Sequence, residues 1–264
     1  MSAAPDVAPV SSDLLLLEQH GATLVITINR PEVKNAVNLA LAIEIAAAMD
    51  HLDSRPDLTV GVLTGAGSTF CAGMDLKAFL AGERPSLPGR GFAGLVEQPP
   101  AKPLIAAVEG YALAGGFEIA LACDLVIASR TAVFGLPEVK RSLVAAGGGL
   151  LRLPARIPYH LAMEWALTGR LVPAEEAHDA RLVSRITEPG EALAQALELA
   201  GTIAENGPLA VRATKQILSS ARDWPSNEAF DRQREISEPV RSSADAREGA
   251  TAFRERRTPV WRGR

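Results

Sequence analysis

Three stretches of the chain bring together residue types that can stabilise negative charge and move protons. The first is Cys71-Ala72-Gly73-Met74-Asp75-Leu76, just after a glycine turn. Glycine permits a backbone bend that aims successive N–H groups into a pocket, leaving the Met74 N–H available to an anionic oxygen. The same letters also read as a strand-to-helix turn in which Asp75 caps the next helix. The second stretch, residues 110–118 (GYALAGGFE), opens a helix with the pair Gly115-Gly116. Backbone can approach a ligand closely there, and the helix dipole adds roughly half a positive charge. Such a site suits an enolate-like oxygen. Glu118 falls on the first helical turn, near the same face; it reads equally as an acid that complements the dipole. The third stretch is Phe134-Gly135-Leu136-Pro137-Glu138. A carboxylate directly after a proline in an apolar turn is rigidly held and open to desolvation, or it simply caps the basic turn that follows. Two carboxylates in unlike environments make an acid/base pair when their pKa values are driven apart.

The elements around these stretches follow from periodicity. Residues 14–17 and 23–29 read as strands joined at His20-Gly21, the second rich in β-branched residues. Asn38 can cap a helix whose apolar stripe runs Leu41, Ile45, Ala48, Met49, Leu52. Residues 59–64 and 104–108 are continuous apolar strands, 116–122 is a short helix, and 124–128 returns as a strand. Strand, helix, strand in such short alternation implies parallel pairing through right-handed crossovers. Residues 82–103 are loop-like, with five prolines and four glycines, and a loop of that length usually carries function or motion. From Gly148 the pattern is almost wholly helical: 158–168, 173–180, 190–205, 208–221 and 226–248, interrupted by a strand over 182–187. The expected organisation is a disordered tail over 1–12, an α/β core over 13–200 and a helical region over 201–264.

Composition narrows the function classes. An apolar share of 47% with 22% charge is that of a globular chain able to bury a core. A net charge of -4 argues against a nucleic-acid binder, which needs a basic face. No apolar run reaches the ~18 residues needed to span a bilayer. Cys71 and Cys123 cannot build a disulfide framework and have no ligands at zinc spacing, so reduced, half-buried thiols in a cytoplasm-like compartment are expected. The four histidines stand in no metal or triad spacing. Gly65-Ala66-Gly67 lacks the third glycine of a dinucleotide fingerprint. The string GRGFAG at 89–94 has all three but follows a loop, not a strand. No G-x-S-x-G nucleophile elbow occurs.

Taken in order, Ala72-Gly73-Met74-Asp75, GYALAGGFEIALACD at 110–124, FGLPEVK at 134–140, Gly147-Gly148-Gly149 with Arg152-Leu153, LTGR at 167–170, AEEAHDARLVSRI at 174–186 and the closing EGATAFRERRTPVW resemble the enoyl-CoA hydratase (crotonase) family. The resemblance covers nearly all of the chain from residue 14. It implies a crotonase-type spiral of ββα turns with a helical C-terminal trimerisation region, assembled as a homotrimer or a dimer of trimers. It further implies an acyl-CoA thioester substrate and no metal or separate cofactor. The Met74 and Gly115 amides then form the oxyanion hole. Glu118 activates water, and Glu138 delivers a proton to the α-carbon. Coenzyme A contacts carry over to Lys34, Ala36, Ala72, Asp75, Leu76 and Lys77, with Phe253 and Arg256 reaching a neighbouring subunit's ligand.

The chain departs from the family's common pattern at Ala114, where many members have a third glycine, at Glu109 in place of asparagine, and at Ala145-Ala146 in place of Pro-Gly. GFAGL at 91–95, LPEVK at 136–140 and the VWRGR ending resemble the carnitinyl-CoA dehydratase (crotonobetainyl-CoA hydratase) branch. Two further readings stand beside hydration. A 3-enoyl-CoA isomerase needs only one well-placed acid/base, and a non-catalytic CoA-binding subunit needs neither glutamate.

Overall fold

The computed structural model describes residues 12–264, so the expected tail over 1–12 lies outside the described residues except at its last position. Ser12 is part of the fold: its hydroxyl accepts from the N–H groups of Leu14 and Leu15. The first strand, β1 (Leu15–His20), turns through Gly21 at φ +59° into β2 (Thr23–Ile28). β1 runs further than its apolar run implies, because Glu18, Gln19 and His20 are carried in register by Val25, Leu24 and Thr23 of its partner.

After β2 come α1 (Leu39–Ser54), β3 (Val60–Gly65), α2 (Leu76–Leu80), β4 (Ser86–Leu87), β5 (Gly91–Phe92) and β6 (Leu104–Val108). The Asn38 side chain accepts from Leu41 N–H, so α1 begins where the capping residue dictates, and its predicted stripe is buried. The chain continues through β7 (Tyr111–Leu113), α3 (Gly115–Ala122), β8 (Leu125–Ser129) and β9 (Val133–Gly135). A 3₁₀ turn (Pro137–Arg141), α4 (Gly149–Arg156), α5 (Tyr159–Thr168), β10 (Val172–Pro173), α6 (Ala174–Asp179) and β11 (Arg185–Thr187) follow. Four helices close the chain: α7 (Ala192–Ala204), α8 (Pro208–Ser220), α9 (Ala229–Arg241) and α10 (Ala244–Glu255).

Among the described residues the main sheet has the order β1-β2-β3-β6-β8-β11, antiparallel at its first pair and parallel from β2 onward. A second stack runs alongside. Val37 bridges Met74, Cys71 bridges Ala112, Ala112 pairs with Phe134, and Phe134 with Val172. Each circuit of the chain therefore contributes a main strand, a short second strand or bridge, and a helix. This is a ββα spiral. Both faces of the main sheet are covered, which is why its strands read as unbroken apolar runs. One face packs Val25, Val60, Val62, Ile105, Ala107 and Ile127 against Ala192, Ala196 and Ala200 of α7; the other joins the larger core around Leu41, Phe70, Phe117 and Phe134.

The structure corrects several expectations. β7 and β9 are too short to show a period in the sequence, and they exist because their neighbours in the second stack supply partners. A small hairpin, β4–β5, sits inside the expected loop over 82–103. The expected helix over 226–248 is two helices, because the Ser243 hydroxyl accepts from Ala246 N–H and starts α10 afresh. Cys71 and Cys123 are fully buried, not half-buried, and burial pushes both thiols up to about 12. Glu109, where asparagine is usual, accepts from the N–H groups of Gly190 and Ala192 and ties the start of α7 to the end of β6.

Close packing of successive turns is equally strict at Gly110 and Gly116, where an added Cβ would lie 2.1 Å from the carbonyl oxygens of Ser68 and Cys71 respectively. Gly201, in α7, has open space at the same position. Gly116→Ala is expected to destabilise the fold by more than about 2 kcal/mol, since backbone must move. Gly201→Ala is expected to stabilise it by about 0.5–1 kcal/mol. Denaturant midpoints of the two variants check both signs.

Candidate active site

The segment from Cys71 to Met74 and the N-terminus of α3 are brought face to face by the second stack. Gly73, at φ +99°, is pressed so closely that a Cβ there would stand 3.0 Å from the Leu113 oxygen and 3.1 Å from the Gly115 nitrogen. The flanking backbone groups are engaged: Asp75 N–H donates to Val37 O, Val37 N–H to Gly73 O, and Ala114 N–H to Gly135 O. Among the described residues no carbonyl accepts from the N–H of Met74 or of Gly115. Both residues line one cavity of about 650 Å³. Two neighbouring N–H groups without acceptors, one at a helix N-terminus, form a ready site for a developing oxyanion.

Ala114 precedes α3 with φ +50° and ψ -127°, a conformation natural to glycine and strained for alanine. The fold tolerates it because the Ala114 N–H and C=O are both tied down, the first to Gly135 O and the second by the N–H groups of Phe117 and Glu118. At Gly115 a Cβ would meet the Phe92 ring at 2.4 Å, so a side chain there would displace that ring.

Glu118 lies on the first turn of α3 and is only 4% exposed. Its Oε1 accepts from Gly149 N–H at 2.9 Å, at the N-terminus of α4. Burial raises its pKa above the ordinary carboxylate range, while the N–H groups of Gly149 and Gly147 and the charge of Arg152 pull the other way. Glu138 sits behind Pro137 in the 3₁₀ turn and lines the same cavity. Its Oε2 is buried and has no hydrogen-bond partner among the described residues. Burial raises its pKa too, and the neighbouring Glu118 charge raises it further, against its own N–H and Arg141. The two carboxyl groups therefore meet across one cavity with unequal support.

The remaining expected site residues separate into those on the cavity and those away from it. Ala36, Ala72, Asp75, Leu76 and Lys77 line it. The Asp75 side chain has structural work as well: Oδ1 caps α2 through Lys77 and Ala78 N–H, and Oδ2 pairs with Arg30 at 3.0 Å. Lys34 does not line the cavity; its ammonium lies 5.5 Å from the centre of the Tyr111 ring. Phe253, 89% exposed, and Arg256 belong to the far end of α10 and do not line the cavity within one chain. Sequence reasoning missed Phe92, Glu97 and Arg141 on the wall, Gly149 as a donor to Glu118 and Gly147 packed against that carboxyl group. The run Gly147-Gly148-Gly149 carried that signal: a Cβ on Gly147 would come within 2.5 Å of Glu118 Oε2. Ala146, where the family usually has glycine, also lines the cavity, while Ala145 is buried. Among the described residues no three His, Cys, Asp or Glu side chains converge as metal ligands, and no helix is long and apolar enough to cross a membrane.

Comparison with known proteins bears on the whole arrangement. The family model for enoyl-CoA hydratase/isomerase matches residues 18–264. The enoyl-CoA hydratase EchA19 of Mycobacterium tuberculosis H37Rv is 43% identical over 260 residues, covering 94% of this chain and 96% of its own. Carnitinyl-CoA dehydratase of Escherichia coli K12 is 41% identical over 262 residues, covering 96% of this chain and all of its own. The crystal structure of an enoyl-CoA hydratase from M. tuberculosis H37Rv superposes with a TM-score of 0.94 at 58% identity, covering 96% of this chain and all of that one. The crystal structure of carnitinyl-CoA hydratase from Mycobacterium avium does so with a TM-score of 0.77 at 39% identity and the same coverage. With the ββα spiral and the paired glutamates, these matches identify the chain as a crotonase-fold enzyme that belongs to the enoyl-CoA hydratase/isomerase family.

Proposed function

We propose that the protein adds water reversibly to a 2-enoyl-CoA thioester, with Glu118 as base, Glu138 as acid and the Met74 and Gly115 amides as the oxyanion hole. The observation that carries this reading is the unequal support of two carboxyl groups on one cavity. Glu118 receives N–H donors and faces a cation, so it is the member that ionises first. Glu138, with an oxygen that lacks any donor, retains the proton. In the forward direction water attacks the β-carbon and Glu118 takes its proton. The electrons of the double bond move to the thioester oxygen, where the two N–H groups stabilise the enolate. Glu138 then protonates the α-carbon. The reverse sequence dehydrates a 3-hydroxyacyl-CoA.

Ala36, Ala72 and the backbone of Asp75, Leu76 and Lys77 would hold the coenzyme A portion, with Lys34 at its nucleotide end. Phe253 and Arg256 would serve a neighbouring subunit. That assignment needs an oligomer, and the exposed Leu218, Phe230 and Phe253 on α8–α10 are apolar surface available to one. The core over 13–200 would then be catalytic, and 201–264 would join the subunits.

A second reading keeps the mechanism and changes the acyl group. The 41% identity to carnitinyl-CoA dehydratases, together with Glu97 and Phe92 on the cavity wall, favours an acyl chain that bears a cation, since a carboxylate beside an aromatic face attracts one.

Glu118→Gln and Glu138→Gln should each lower kcat for crotonyl-CoA hydration by about 10²–10⁴-fold. Loss at only one position would leave isomerisation, and no turnover by the unmodified protein despite ligand binding would leave a CoA-binding subunit. Running crotonyl-CoA, longer enoyl-CoAs and carnitinyl-CoA side by side ranks the acyl classes. The pH profile of kcat/KM should be bell-shaped, with both limbs above the ordinary carboxylate range, because activity needs Glu118 ionised and Glu138 protonated. Stability supplies an independent check. A carboxyl whose pKa is raised by folding stabilises below its unfolded pKa and loses that contribution as pH rises through the folded value. The Tm advantage of Glu138→Gln over the unmodified protein should therefore be small in acid and grow toward neutral pH. Sedimentation should give a mass of three or six chains of 27.8 kDa.

A further inference from the structure

The turn that feeds hydrogen bonds to Glu118 has a clamp of its own. Arg152, on the first turn of α4, folds back over Gly148, which is held at φ +88°. Its Nη1 lies 2.4 Å from where a Cβ on Gly148 would stand, so the guanidinium fills the space a side chain there would take. Its Nη2 donates to the carbonyl of Val96, a buried residue between β5 and β6. Arg152 is partly buried, yet among the described residues it has no carboxylate within ion-pair distance. A desolvated guanidinium is normally either paired or turned out to water. Here a single carbonyl anchors one edge of the fork, and the remaining charge faces Glu118.

We propose that Arg152 is a positioning residue: by pinning the Gly147-Gly148-Gly149 turn to the Val96 carbonyl it holds the Gly149 N–H on Glu118, and its charge keeps that carboxylate the proton acceptor of the pair. The inference rests on the reading of Glu118 as base. The charged groups around Glu118 define what Arg152 alone supplies. Glu138, from the 3₁₀ turn, is coupled to Glu118 with like charge, and Arg141 acts on Glu138. Arg156, one turn along α4, is engaged elsewhere: it donates to the Cys123 carbonyl at 2.8 Å and faces Asp124. The Cys123 thiol also faces Arg152 and is neutral. Arg152 is thus the cation that acts on Glu118, and it does so through groups that touch no substrate.

The test is a paired measurement on Arg152→Met and Arg152→Lys in the full-length protein. The first readout is the pH profile of kcat/KM for crotonyl-CoA. The second is the titration of the Glu118 carboxyl carbon by NMR in protein labelled with carbon-13 glutamate, assigned with Glu118→Gln. In Arg152→Met the acidic limb and the Glu118 midpoint should both move up by about one pH unit, as expected when an opposite charge nearby is removed. kcat at neutral pH should fall by about tenfold with KM within about twofold. Arg152→Lys should return the midpoint to that of the unmodified protein while recovering only part of kcat, because a compact ammonium cannot both reach the Val96 carbonyl and fill the space over Gly148. An unmoved Glu118 midpoint in a folded Arg152→Met protein overturns the proposal. If that variant does not fold, Arg152→Lys decides: an upward-shifted midpoint there overturns it equally. Should the unmodified protein hydrate no enoyl-CoA while the midpoint still moves, the functional reading falls and the control of Glu118 by Arg152 stands.

Discussion

Everything at this site depends on how closely two pieces of backbone can approach. The segment from Cys71 to Met74 belongs to one circuit of the spiral and the start of α3 to the next, and Gly73 and Gly116 let them touch. Parallel strands stacked at sheet spacing bring the circuits level, and the second stack then uses nearly every amide along the seam. Among the described residues, the N–H groups left without an acceptor include those of Met74 and Gly115, which face one cavity. The donors are therefore a residue of the packing, produced where glycine removes the side chains that would have kept the circuits apart. Ala114 fits the same logic, since its positive φ is held by hydrogen bonds on both sides.

The carboxyl groups differ in what surrounds them more than in where they lie. Both are desolvated, and desolvation alone would push them in the same direction. The helix N-terminus of α4 breaks the symmetry by giving its N–H groups to Glu118, while Pro137 and the 3₁₀ turn hold Glu138 where no donor reaches its Oε2. Glu118 takes donors from a helix N-terminus, whereas Glu138 has only its own N–H and the charge of Arg141 to favour its anion. A buried acceptor with no partner is unfavourable in a resting fold. Its retention here accords with a group whose partner arrives with the substrate.

Much of the core was legible in the residues. The Asn38 cap, the stripe of α1, the apolar strands over 59–64 and 104–108 and the glycine-opened α3 all follow local rules that the tertiary fold does not override. Both glutamates stood out as candidates beside a glycine or a proline, but the residues alone left each open to a capping role, and only the resemblance to the crotonase family paired them as acid and base. Other features were hidden for physical reasons. β7 and β9 are three residues long and owe their existence to partners far along the chain. Phe92 and Glu97 reach the cavity from a proline-rich excursion with no period at all. The hydrogen bond that Gly149 gives to Glu118 spans 31 positions, a relation no local pattern encodes.

The hairpin β4–β5 and the residues after it leave the spiral between β3 and β6 and rejoin it without contributing a strand to the main sheet. The wall that carries Phe92 and Glu97 thus lies outside the main sheet, although Ala93, Leu95 and Val96 of the same excursion pack into the core. Exposed side chains on the rim can change there while those buried residues, and the Val96 carbonyl that receives Arg152, stay in place. A lineage built on this architecture can exchange one acyl group for another by rewriting a rim, and leave the machinery beneath it untouched.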